Sequence, residues 1–185
     1  DRWTVFFSDI LRIRSNATGG NAFLAYLHKN LRENRPWDVM SHEMLAVNGS
    51  SGKVPAVGLI LGEEVDAMAM AAATSQMFLG VRMQCAQCHN HPLIDDYLQK
   101  DYYGIYAFLN RTYLFKPDKK KPGVLAERPG GGVAFKSVFT GDAGVSRPRL
   151  LGERQLDEPT IAAGNITSAD QINTIIAAGR ADLCA

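Results

Sequence analysis

Two thiols and an imidazole stand within five consecutive residues, Cys85-Ala86-Gln87-Cys88-His89. Cysteines spaced by two residues with a histidine directly after them form the pattern that attaches haem c, with two thioether bonds to the chain and the imidazole on the iron. One turn of chain spans the two vinyl positions while the next residue reaches the iron from the same face. Cys85 and Cys88 are therefore the expected attachment points and His89 the expected proximal ligand. The distal ligand is left open. Met40, Met44, Met68, Met70, Met77, Met83, His28 and His42 are all able by chemistry, a methionine is equally suited to filling a core, and an open sixth position is equally compatible.

Two rival chemistries use the same residues. Zn could draw on Cys85, Cys88, His89 and His91, but four ligands inside seven residues crowd a tetrahedral centre, and a structural Zn site normally takes a second ligand pair from far away. A redox dithiol of the Cys-x-x-Cys kind sits on a strand-to-helix junction in a βαβ pattern, whereas the runs on both sides here read as helical. His91 precedes Pro92, which holds it extended and away from the iron bound by His89; its plain reading is a turn histidine bonded to backbone. An enzyme reading would need an open coordination position with polar groups nearby, for which Arg82, His91 and Tyr102 are the secondary candidates. A haem-binding, electron-transfer module is preferred over a structural or interaction domain in which the cysteines bind Zn or form a disulfide without redox activity, and over an enzyme.

The elements that must position this motif read as mainly α, an irregular helical bundle. Trp3, Phe6, Phe7, Ile10, Leu11 and Ile13 recur at three- and four-residue steps, the stripe of an amphipathic helix, until Gly19-Gly20 breaks it. Phe23 to Leu31 and Trp37 to Val47 repeat the pattern. After the loop Gly49-Ser50-Ser51-Gly52, Glu63-Glu64 place acidic charge at the start of an Ala- and Met-rich helix that closes at Gly80. Asp101-Tyr102-Tyr103 to Leu109 form a further helix just past the motif. Helices near Glu63–Gly80 and Gln99–Asn110 are expected to wall the pocket.

Beyond Asn110 the residues turn aromatic and β-branched, at Thr112 to Phe115 and Val133 to Thr140. These predict a small hairpin or a pair of edge strands. The cluster Lys119-Lys120-Lys121 between them is read as a solvated loop rather than a docking patch for an acidic partner. The tail, Pro159 to Leu183, reads as strand, capped helix and strand, a short βαβ-like unit. The expected organisation is a helical domain over 1–115 carrying the motif, a loop-rich extension with short strands over 116–157, and the tail over 158–185.

The chain has 185 residues, 46% of them hydrophobic and 21% charged, with a net charge of +1, the composition of an ordinary globular protein. Near-balanced charge gives no reason to expect nucleic acid or an anionic membrane as partner, and no apolar run reaches the roughly 18 residues that would span a bilayer. Three cysteines are too few for a disulfide scaffold. A start at Asp1 predicts a processed chain or an excerpt of a longer one.

The stretch Met77-Phe78-Leu79-Gly80-Val81-Arg82-Met83-Gln84-Cys85-Ala86-Gln87-Cys88-His89-Asn90-His91-Pro92, with Asp101-Tyr102-Tyr103 and Ala107-Phe108 after it, resembles the planctomycete cytochrome c-associated domain of unknown function 1549 (DUF1549). Asn34-Arg35-Pro36-Trp37-Asp38, Asn48-Gly49-Ser50-Ser51 and Arg147-Pro148-Arg149-Leu150-Leu151-Gly152 extend the likeness over about residues 1–153. The resemblance implies haem, export to the bacterial periplasm or beyond, and a redox partner protein or adjacent cytochrome and other domains in a longer chain; it supplies no substrate. The tail is similar to the last βα repeats of flavin barrels of the old yellow enzyme type, with Gly164 and Asn165 at the phosphate-facing position. A single βαβ unit cannot close an eight-stranded barrel, so no flavin site is expected.

Overall fold

In the computed structural model, which describes residues 2–116, 118, 122–151 and two short strands at 161–162 and 183–184, the periodic apolar runs fold as helices. These are α1 (Arg2–Ile10), α2 (Gly20–Arg32), α3 (Trp37–Ala46), the single turn α4 (Gly58–Gly62), α5 (Ala67–Leu79) and α6 (Gln99–Leu109). Three short strand pairs complete a mainly α chain: β1 (Thr112–Phe115) with β2 (Val124–Glu127), β3 (Val133–Lys136) with β4 (Ala143–Ser146), and β5 (Ile161–Ala162) with β6 (Leu183–Cys184). None of the described helices is long and apolar enough to cross a membrane.

The chain divides into two compact units, Asp1–Val65 with Tyr113–Glu127 and Ile161–Ala185, and Asp66–Thr112 with Arg128–Thr160. The first unit buries Leu11, Phe23, Leu27, Met40, Met44, Val57, Leu59, Ile60 and Leu61, with Leu125 from β2 added through a backbone bridge to Gly49. The contact of α2 with α4 is close because Gly58 has no side chain: a Cβ there would lie 2.5 Å from that of Phe23. Arg35 and Tyr26 both donate to the Glu43 carboxylate, at 2.8 and 2.7 Å, and Arg35 also donates to the buried Asn30, which ties α2 to α3. The stripe of α1 is amphipathic as expected, yet no residue of that helix is buried; Trp3, Phe6, Phe7 and Trp37 instead contact one another edge-on or tilted, with Trp3 and Phe6 largely exposed.

The second unit is organised around α6, in which eight of eleven residues are buried. Ala71, Met83, Ala86, Tyr102, Tyr103 and Ile105 form its core, flanked by Val133 and Phe135 of β3. Helix α5 starts later than the acidic pair suggests. Glu64 and Val65 have positive φ, and Asp66 is the cap, its Oδ1 accepting from the backbone N–H of Met68 at 2.8 Å and of Ala69 at 3.0 Å. A capping carboxylate satisfies N–H groups that acidic charge placed farther upstream cannot reach. Gly80 closes the helix in the left-handed region, as its position predicts.

The strand segments differ from expectation in their partners. Thr112–Phe115 and Val133–Lys136 do not pair with each other. Each takes a neighbour that was not read as a strand, and β3 runs antiparallel to β4 with Val133 opposite Ser146 and Lys136 opposite Ala143. At the tail, β5 and β6 pair in parallel, Ile161 with Leu183. The expected helix between them, Gly164, Asn165 and the Lys119–Lys121 cluster lie outside the described residues.

Candidate functional site

The motif begins in a 3-10 turn, Gln84–Gln87, between α5 and α6, with Cys88 as the residue that closes it and His89 next. Its packing follows from three-residue periodicity. Met83 and Ala86 point into the core and are fully buried, so Cys85 and Cys88, in the complementary phase, are exposed free thiols. The backbone N–H groups of Cys88 and His89 both donate to the Cys85 carbonyl, at 3.3 and 3.4 Å, which sets the two thiols one turn apart and His89 directly after them.

His89 Nδ1 lies 2.5 Å from the Asn90 carbonyl. A carbonyl can only accept, so Nδ1 carries the proton and the Nε2 lone pair is left for a metal, the tautomer that an axial ligand needs. The imidazole borders a cleft of about 490 Å³ whose other walls include Pro92, Leu98, Gln99, Phe135, Ser137 and Phe139. Neither cysteine lines it, and none of its lining residues comes from α5; the expected wall from that helix is replaced by the β3–β4 hairpin.

Buried Gln99, at the start of α6, staples the site together. Its backbone N–H donates to Asn90 Oδ1 at 2.8 Å, and its Nε2 donates to the carbonyls of Gln87 and Lys136, each at 3.2 Å. Tyr103 adds a second donor to the Gln87 carbonyl at 3.2 Å and stacks on Phe135. The hairpin tip is joined to the motif directly, the Val138 N–H donating to the Cys88 carbonyl at 3.0 Å. Replacing Gln99 by Ala removes one donor from two carbonyls in a buried setting and is expected to cost about 1–3 kcal/mol. Urea unfolding measures it; a change under about 0.5 kcal/mol, the range of ordinary surface substitutions, would mean that water replaces the amide.

The secondary candidates separate cleanly. Tyr102 is fully buried and its hydroxyl donates to the Met68 carbonyl at 2.9 Å, so it serves the core and presents no group to a ligand beside His89. Burial, with Tyr103 and Asp66 nearby, holds its phenol well above the ordinary range. His91 is a turn residue: its N–H donates to the Tyr97 carbonyl and its Nδ1 accepts from the Leu93 N–H. Arg82 is exposed between Gly80 and the turn. Of the distal-ligand candidates, Met40 and Met44 are fully buried in the first unit, as Met70 and Met83 are in the second, and the Met68 sulfur sits 3.4 Å from the Tyr102 hydroxyl.

No group of three or more His, Cys, Asp or Glu side chains converges as a metal site among the described residues. The donor set is thus two thiols and one imidazole arranged along a turn rather than around a point. The two thiols are exposed and only the imidazole borders the cleft.

Sequence reading alone missed Gln99 as a staple, Asn90 as the partner of α6, and Phe139. Only the acceptor next to His89 carried a local signal, since a carbonyl one residue on is always within reach of Nδ1.

A family model described as Protein of unknown function (DUF1549), PSCyt2, matches residues 1–113. No curated protein and no solved structure matches the chain. The match includes the motif and α6 but ends well before residue 153, and the likeness of the tail to flavin barrels finds no support in these comparisons.

Proposed function

The chain belongs to the DUF1549 family of proteins of unknown function, and we propose from its own geometry that it is a c-type haem-binding module. It serves electron transfer within a larger exported protein. The observation that carries the proposal is the motif turn itself: two exposed thiols one turn apart, followed by an imidazole whose Nδ1 faces a carbonyl and which borders a cleft.

Cys85 and Cys88 hold the group. With haem bound, the two thiols would be joined to its vinyl groups by thioether bonds, each formed by addition of S–H across the double bond and so without an oxidant. His89 supplies the axial nitrogen, and Asn90 fixes its tautomer. Bound haem supplies one-electron chemistry, with a potential set by axial ligation, hydrogen bonding and burial. Pro92, Leu98, Phe135 and Phe139 give the cleft beside His89 an apolar lining. The electron partner is a redox protein or a neighbouring cytochrome domain, and the periplasm or another exported location is where the module works.

The test is a pyridine haemochrome spectrum of the protein matured in a periplasm with cytochrome c maturation, beside the Cys85→Ala, Cys88→Ala variant. A c-type band that disappears in the double variant is the expected result. No band in matured wild-type protein would overturn the reading and leave Zn or a redox dithiol as the use of the two exposed thiols; metal content then separates those two.

A further inference from the structure

The β3–β4 hairpin lies beyond residues 1–113, the part of the chain that carries the family pattern, yet it closes on the motif. Three contacts bring it there: the Val138 N–H on the Cys88 carbonyl, the Gln99 amide bridging Gln87 and Lys136, and the ring of Phe139 against that of His89, centroids 4.8 Å apart at 52°. The tip is itself internally bonded. Ser137 N–H donates to the Asp142 carbonyl at 2.8 Å, Gly141 N–H to the Ser137 carbonyl at 3.1 Å, and Thr140 N–H to Ser137 Oγ at 3.3 Å. Gly141 turns the chain at φ 75°, a conformation that suits glycine.

Phe139 is 77% exposed at the tip, beside the exposed Val138, and its ring lies against the imidazole. We infer that Phe139 is a positioning residue for His89, fixing the plane of the ring, and that the hairpin is a working wall of the cleft. An aromatic pair at this spacing is worth about 0.5–1.5 kcal/mol, a bias of roughly two- to twelvefold toward the stacked imidazole rotamer at 1.36 kcal/mol per tenfold. The hydrogen bonds within the tip hold the backbone on which Phe139 is carried. With the Asn90 carbonyl holding Nδ1 and Phe139 holding the plane, both rotational freedoms of the imidazole are constrained before any ligand arrives. In the haem-bound protein, a role that rests on the reading above, Phe139 thereby tunes the potential through the orientation of the axial ring.

The experiment uses the full chain with isotope-labelled histidine, before and after maturation with haem. In the haem-free protein at a single pH, the ring current of Phe139 displaces the ring protons of His89. Phe139→Ala is expected to shift the His89 signals while leaving those of His28 and His42 in place, and Phe139→Tyr to restore them. His89 signals unmoved in Phe139→Ala would overturn the inference. A wild-type nuclear Overhauser contact between the two rings is the second measurement, and its absence would overturn the inference even if the variant fails to fold. In matured protein with a haemochrome band, Phe139→Ala is expected to shift the reduction potential and Phe139→Tyr to recover it, and an unchanged potential would remove the tuning role. Failure of the wild-type protein to take haem strikes the proposed function alone, because the haem-free measurements still decide the placement of Phe139.

Discussion

Arg149→Ala is expected to destabilise the unit that carries the motif by about 3–5 kcal/mol, the cost of leaving a buried charge without its partner. Asp101 on α6 is nearly inaccessible, its side chain 4% exposed, and Arg149 Nη2 lies 2.9 Å from its Oδ1. The contact is one of charge more than of aligned hydrogen bonding, since among the described residues neither that oxygen nor Arg149 Nε has a hydrogen-bond partner. The guanidinium stem also fills the space over Gly104, where a Cβ would come within 2.1 Å of Arg149 Cγ. Truncation therefore opens a gap as well as stranding a carboxylate. Asp101→Asn should cost less, because the Arg149 side chain is 14% exposed and can draw on water. Asp101→Asn combined with Arg149→Met is expected to recover much of the loss of Arg149→Ala, since removing both charges of a buried pair is often close to neutral. A double-mutant cycle by chemical denaturation measures this. A cost below about 1 kcal/mol for Arg149→Ala would show that the pair behaves as a solvated one.

Gly20→Ala is expected to be comparably severe in the first unit, at about 3 kcal/mol, the upper part of the overpacking range. A Cβ at Gly20 would stand 1.9 Å from the Arg14 carbonyl oxygen and 2.9 Å from its carbon. Backbone cannot turn aside as a side chain can, so the loop before α2 must move. That loop is held at both ends, by the Gly20 N–H on the Ala17 carbonyl and by Arg14, which donates from its guanidinium to the Gly62 carbonyl. The control is Gly62→Ala, at the end of α4, where a Cβ meets nothing within 4 Å. It should stabilise by about 0.4–1 kcal/mol by restricting the unfolded chain. Thermal unfolding of both variants reads the contrast, and equal effects would refute the steric account.

The two sets of variants test opposite origins of stability. Arg149 and Asp101 join segments far apart in sequence within one unit, whereas Gly20 relieves a clash with a residue six positions earlier. Neither position carries a local pattern that would single it out. A glycine after a glycine reads as a helix breaker, and Gly20 is instead the first residue of α2, but its need to be glycine comes from the approach of the Arg14 carbonyl.

The amino-acid sequence by itself determined the helices α1, α2, α3, α5 and α6, the stop at Gly80 and the spacing of Cys85, Cys88 and His89. Each of these depends on residues within one or two turns of each other, and apolar periodicity, left-handed glycine and ligand spacing are local properties. It also placed the family, because the motif and its flanks are contiguous. Only the tertiary structure decided that Thr112–Phe115 and Val133–Lys136 take separate partners, since strand pairing joins distant segments and short strands carry a weak pattern. The same holds for the local but unrecognised turn of α4, whose continuous apolar run, Leu59-Ile60-Leu61, has no amphipathic period to read. Tyr102 could be sent either to the core or to the site by its chemistry, and burial against α5 and the motif turn settled it in favour of the core. The environment of His89 divides along the same line: its neighbour's carbonyl is given by adjacency in the chain, but Phe139 arrives from fifty residues downstream on a hairpin held by Gln99, and only folding brings those two rings together.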